Sequence, residues 1–265
     1  MIDFHPVENG IIEHIFNLKK SAMISHTLKF TLSILLFAIS SLFAADNGSI
    51  VGKVVLNGKA PAETPIKLDA IPECKALHAT PLETRHYIVD ANGGLANVFV
   101  YVKDGLGNKK FPVPTTSVVL DQQSCLYAPY VLGVQVGQTL EIKNNDSFMH
   151  NVHGGTADSK NKEFNVGQPN KTVGKGSEQK FTKPEVFFKF KCDVHPWMFA
   201  YLGVVDHPFF AVTGADGSFK ISGLPDGDYT VVAKHPKAAG EQTIKIKVAG
   251  GGEAKADFKF EPKAQ

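Results

Sequence analysis

The run Cys192-Asp193-Val194-His195-Pro196-Trp197-Met198 places a thiolate, an imidazole and a thioether at Cys-x2-His-x2-Met spacing. Well upstream, a second imidazole donor, His150, stands in Asn144-Asn145-Asp146-Ser147-Phe148-Met149-His150-Asn151-Val152-His153. One Cys, two His and a weak Met are the donor set of a mononuclear electron-transfer copper site. Thiolate and thioether are soft and favour copper, and imidazole suits both of its oxidation states. A hard cation would want carboxylate oxygens instead.

The flanking residues read as strands that would aim these donors. In Thr139-Leu140-Glu141-Ile142-Lys143 the apolar residues alternate with charged ones, and Asn144-Asn145-Asp146 then breaks the strand before His150. Val186, Phe188, Phe190 and Cys192 share one face of a second strand, with Lys189 and Lys191 on the other. Cys192 is therefore expected at a strand end, aimed into an apolar interior, where a bare thiolate is costly and a metal ion would balance it. In an extended chain His150 and His153 point to opposite sides, so only one can face Cys192. His150 is taken as the ligand and His153 as the rival, on the surface or beside the ligands. Of the four Met in the chain, only Met149 and Met198 follow the leader, and both lie in these motifs. The loop residues Pro196, Trp197 and Phe199 form a candidate partner patch around an exposed edge of His195, the alternative being that Trp197 is simply core. His207 and His235, each followed by Pro, read as turn residues.

These motifs resemble the cupredoxin family, most closely its amicyanin and plastocyanin branch. The match rests on Cys192, His195 and Met198 with Pro196 after the histidine, on His150-Asn151-Val152-His153, and on Asn144-Asn145 upstream. It covers about residues 93–206. The resemblance implies a Greek-key β-sandwich, a one-electron carrier, one type 1 copper ion, and His150, Cys192, His195 and Met198 as its ligands. It also implies that Asn151 helps fix the cysteine sulfur by hydrogen bonding. The chain departs from the pattern at Met149, where a proline is usual, and in the longer step from Met198 to Gly203. Residues 207–262 resemble carboxypeptidase-regulatory or transthyretin-like modules through Asp216-Gly217-Ser218-Phe219 and Leu224-Pro225-Asp226-Gly227-Asp228-Tyr229, and residues 49–61 echo the first strand of such a module.

The rest of the chain reads as almost wholly β, with period-two alternation and dense turn signals. The expected fold class is all-β: a Greek-key cupredoxin sandwich followed by a small antiparallel β-sandwich. The expected divisions are a leader at 1–44, an N-terminal β extension at 45–92, the copper domain at 93–206 and the small sandwich at 207–265. Within them, Asn57-Gly58 reads as a hairpin turn, residues 71–79 as one short helix, residues 97–102 as a strand, and residues 214–218 as a hairpin connection.

Residues 23–44 show a short basic region, an apolar run from Phe30 to Phe43 and a small-residue cut site, the pattern of a secretory signal peptide. The apolar run is shorter than the roughly 20 residues of a membrane span; a retained anchor is the competing expectation. Export fits the three cysteines: with Cys192 on metal, Cys74 and Cys125 can pair as a disulfide, the alternative being two buried thiols.

A net charge of +2 and the absence of a basic run interleaved with aromatics exclude a nucleic-acid partner. No Ser-His-Asp order, paired carboxylates or Gly-rich phosphate loop supports an enzyme. The expectation is an exported copper protein carrying single electrons between a redox donor and an acceptor, in the periplasm or secreted. Two alternatives are a copper-sequestering protein without a redox partner, and a carbohydrate-binding or adhesion module making surface or glycan contact through its C-terminal sandwich.

Overall fold

The computed structural model describes residues 47–263. The leader at 1–44 lies outside the described residues. Among those described, no helix is long and apolar enough to cross a membrane.

The fold is all-β, with a single short helix among the described residues, α1 (Pro72–Ala76). One sandwich takes its first sheet from β5 (Val131–Gln135), β11 (Phe199–Val205), β10 (Glu185–Lys191), β7 (His150–Gly154) and β8 (Phe164–Gln168), in that spatial order. Its second sheet runs β4 (Leu126–Ala128), β3 (Val118–Gln123), β6 (Thr139–Asn144) and β9 (Ser177–Lys180). The non-sequential order makes β5 parallel to β11 and β3 parallel to β6. Leu120, Leu140, Ile142, Leu132, Phe188, Phe190 and Leu202 fill the space between the two sheets. As the alternation requires, Leu140 and Ile142 of β6 are buried while Glu141 and Lys143 are not.

The second sandwich pairs β1 (Gly48–Leu56) with β13 (Ser218–Leu224), β16 (Glu253–Lys255) and β17 (Phe258–Phe260). Its other sheet runs β12 (Phe210–Val212), β2 (Phe99–Asp104), β14 (Gly227–Lys234) and β15 (Glu241–Val248). Ile50, Val54, Val100, Val102, Ile221, Val231 and Phe258 pack between them. Phe99, Tyr130, Val131, Tyr201 and Val205 form a third cluster that joins the two sandwiches.

Several sequence expectations change here. The strand expected within 93–206, now β2, pairs with β12 and β14 of the second sandwich. Its residues are apolar on both faces: Val100 and Val102 enter the second core, whereas Phe99 enters the joining cluster. The second sandwich thus draws on 48–104 as well as on 210–260. Gly58 has φ +95° and turns the chain, but no hairpin partner follows. Both edges of β1 are already taken, by β13 on one side and by β16 and β17 on the other. The turn at 214–218 likewise joins β12 and β13 of different sheets rather than a hairpin. The helix is shorter than 71–79; Pro72 fits its first turn, where an N–H would be unpaired anyway. A bulge between Val186 and Phe188 breaks the expected shared face: Val186 packs with the joining cluster, while Phe188, Phe190 and Cys192 stay in the first core.

Candidate metal centre

β6 belongs to one sheet and β7 to the other, so residues 145–149 carry the chain across the end of the sandwich. Asn144 shapes that crossing. Its amide nitrogen donates to the carbonyls of Phe148 at 2.9 Å, Gln168 at 3.1 Å and Asn170 at 3.3 Å. Its Oδ1 accepts the Asp146 N–H at 3.0 Å. β10 runs antiparallel to β7, with Phe190 opposite Gly154 and Lys191 opposite His153. This pairing brings the end of β10, and Cys192 just beyond it, alongside the start of β7. The loop 192–198 is closed by Cys192 N–H to Met198 O at 3.2 Å and Met198 N–H to His195 O at 2.9 Å.

His150, Cys192 and His195 converge. One ligand atom from each lies within 4.8 Å of the others, and all three residues are buried. The two Nδ1 atoms are 2.9 Å apart, and Cys192 Sγ is 3.5 Å from His195 Nδ1. Met198 is fully buried in the same core cluster as Cys192. Met149 is exposed. His153, the rival ligand, lies on the outer side of β7: its Nδ1 is 3.0 Å from Asp193 Oδ2 and its Nε2 is 2.6 Å from Glu163 Oε1. His207 and His235 are turn residues, their Nδ1 atoms accepting backbone N–H groups of Phe209 and of Lys237 and Ala238.

Asn151 touches the sulfur. Its Oδ1 accepts from Cys192 Sγ at 3.2 Å and from the Asp193 N–H at 2.8 Å. Its amide nitrogen donates to Asp193 Oδ2 at 2.8 Å and Asn165 Oδ1 at 2.9 Å. Burial would raise the Asp193 pKa, but hydrogen bonds from Lys191, Asn151, His153 and Asn165 outweigh it and hold the carboxyl at about 2. The Tyr127 hydroxyl donates to the Asn151 carbonyl, and burial, reinforced by the charges of Cys192 and Asp193, pushes its pKa up.

Asp146 is the residue that sequence reasoning missed. Its Oδ2 lies 2.8 Å from His150 Nε2 and also accepts the Cys125 N–H at 2.8 Å, while Oδ1 accepts the Ser124 N–H at 2.8 Å. An acid four residues before the histidine, in a strand-breaking run, was the available signal. The carboxylate accepts a hydrogen bond from the Nε2–H of His150, a tautomer that leaves Nδ1 with a lone pair facing the site. Burial lowers the His150 pKa, against the opposing pull of Asp146. Burial, helped by His150, lowers that of His195 to about 4. Both rings are therefore neutral at neutral pH and can donate to a metal.

The site is covered where an exposed edge of His195 was expected. Cys74 and Cys125 form a disulfide with Cα atoms 5.7 Å apart. Both sulfurs and a ring nitrogen of His195 lie within 4.8 Å of one another. Trp197 is half-buried against the first core, its ring 5.3 Å from that of His195, and its indole N–H donates to Cys125 O at 3.0 Å. His195 is consequently only 2% exposed, not an open ring edge. Of the expected patch, Pro196 is exposed, Trp197 belongs to this cover, and Phe199 packs with the joining cluster under the Lys189 ammonium.

Residues 114–205 match the family of copper binding proteins, plastocyanin/azurin family. No curated protein matches the chain significantly. Similar solved structures include a methionine-to-glutamine variant of amicyanin in its Cu(I) state, 21% identical, covering 33% of this chain and 81% of that one at a TM-score of 0.29. A methionine-to-alanine Cu(I) amicyanin variant is 19% identical, covering 40% of this chain and 97% of its own at 0.30. The Cu-containing nitrite reductase (NirK) from Thermus scotoductus SA-01 is 25% identical, covering 37% of this chain and 24% of its own at 0.27. The matched segment encloses His150, Cys192, His195 and Met198, and it carries a cupredoxin-like copper-binding domain.

Proposed function

We propose that this domain holds one copper ion between His150, Cys192 and His195, with Met198 as a weaker fourth ligand, and passes single electrons between extracytoplasmic redox proteins without itself being an enzyme. The reading is carried by the convergence of two imidazole Nδ1 atoms and one cysteine sulfur in a single buried space. Copper bound there supplies a one-electron couple. The chain's own part is to hold the donors still. Asp146 and Asn144 fix the orientation of His150, Asn151 accepts the Asp193 N–H and so ties the backbone beside Cys192 to β7, and the close-packed sandwich resists movement of either strand. A cage that does not reorganise favours rapid electron exchange, and burial keeps water from the sulfur. The disulfide and the leader pattern support an oxidising compartment. For the second sandwich we propose a docking or spacing module of the carboxypeptidase-regulatory type, for which glycan-array binding is the test.

One observation favours a second reading, copper sequestration: the His195 ring is covered by the disulfide and Trp197. Voltammetry of the copper-loaded chain separates the two. A reversible one-electron wave, together with rapid exchange with small redox complexes in solution, is the carrier's result. Tightly held copper that exchanges no electrons on the timescale of seconds is the sequestering protein's result and would contradict the carrier.

A further inference from the structure

The disulfide against His195 has chemistry of its own. We infer that Cys74, Cys125 and His195 form a second metal site, for the soft monovalent ion Cu(I), which becomes available when the disulfide is reduced.

The three residues come from separate parts of the chain: α1, the β3–β4 turn and the loop 192–198. Yet both sulfurs and a ring nitrogen of His195 lie within 4.8 Å of one another, and all three residues are buried. Two thiolates and one imidazole are a soft donor set that selects Cu(I) over hard cations.

The Cys125 side of the site does not depend on the S–S bond for its position. Ser124 and Cys125 have φ of +52° and +55°, and their N–H groups are held by Asp146 at 2.8 Å each. Trp197 donates to Cys125 O at 3.0 Å, and His78 Nε2 lies 2.9 Å from Ser124 O. The Cys74 side is looser. Outside α1, the ladder contacts of residues 57–96 are isolated bridges, Pro65 with Glu83, Val89 with Leu95, and Gly94 with Val55. Cys74 is itself fully buried with Leu68 in the first core, so a reductant reaches the sulfurs through local opening of this sparsely laddered segment.

The reductant is a dithiol. Its thiolate attacks one cysteine sulfur, the S–S bond breaks, and a mixed disulfide forms. The second thiol of the reductant then displaces the remaining cysteine. Two electrons and two protons pass from the dithiol to the protein sulfurs, both cysteines become thiols, and the dithiol departs as its own disulfide. Binding of Cu(I) releases those two protons to water.

The inference shares only His195 with the centre proposed above, so the test uses the full chain carrying Cys192→Ser. Cu(I) affinity is measured by competition with a Cu(I)-specific chelator, on the oxidised chain and on the chain reduced with excess dithiothreitol that is then removed. Circular dichroism follows the fold. Loss of one supporting partner around a metal ligand costs about 10–100-fold in affinity. Gain of two direct sulfur ligands should therefore tighten binding by more than about 100-fold. X-ray absorption should show two sulfur scatterers, and adding Cys74→Ser should abolish the gain. Equal affinities in the two states, tight binding that survives Cys74→Ser, a disulfide that excess dithiothreitol leaves intact, or loss of the fold on reduction would each overturn the inference. The absorption spectrum of the oxidised unsubstituted chain reports separately on the first centre.

Discussion

The two sandwiches use burial differently. Between its sheets the second holds an almost uninterrupted apolar core, from Ile50 and Val54 through Val231 to Phe260. The first has an equally dense core around Phe188 and Phe190, but one end of it is given over to buried polar groups: Asn144, Asp146, His150, Asn151 and His195. Each of these groups is tied to another or to backbone. An apolar core contributes stability and little else. A polar end that is fully hydrogen-bonded fixes donor atoms in space, and removing one member leaves the others unpaired.

That contrast can be broken most forcefully by truncating a large core residue in each half. Phe260→Ala in the second sandwich should cost about 3–5 kcal/mol of unfolding free energy, and Phe188→Ala in the first a similar amount. Copper affinity, measured by chelator competition on the folded fraction, should survive Phe260→Ala and fall with Phe188→Ala, because only the latter lies in the core that contains Cys192. Equal losses of affinity would erase the distinction between the halves.

Asn144→Ala tests the polar end. It strips one acceptor and two N–H donors from the 144–170 crossing and should cost about 1–3 kcal/mol in denaturant unfolding. Asp146→Asn should loosen copper about 10–100-fold, seen by the same competition, with a smaller change in stability. Acid titration of the metal-free chain probes both halves at once. Burial holds His195 in the first sandwich and His235 in the second at about 4, against an ordinary 6.5. Between those values the unfolded chain binds more protons, so stability should fall as pH drops from 6.5 to about 4. His235→Gln should make that slope shallower; a flat profile would show that neither ring stays neutral. The smallest effect belongs to the outer face of β7: His153→Ala should change stability by less than about 1 kcal/mol and leave copper affinity within a few-fold.

The donor motifs could be seen in the chain because their types and spacing are local, and the alternation of Leu140 and Ile142 announced β6 directly. Strand partnership could not. Residues 97–102 read as a strand, but nothing local says that its partners are β12 and β14, more than a hundred residues downstream in sequence. Asn57-Gly58 offered a hairpin, and long-range pairing on both edges of β1 overrode it. The shared face of Val186 and Phe188 was lost to a bulge that alternation does not reveal. Asp146 stayed hidden because an acid in a turn reads as a solvated break, and only the fold turns it back onto His150. The cover over His195 depends on a contact between residues 74, 125 and 195 that no window of sequence contains.

The account rests on a bond between Cys192 sulfur and copper, and visible absorption tests it most directly. The full chain loaded with Cu(II) should show an intense sulfur-to-copper charge-transfer band that bleaches on reduction and is missing from Cys192→Ser. A folded, copper-loaded chain with only weak absorption, or with the same spectrum as Cys192→Ser, would contradict it.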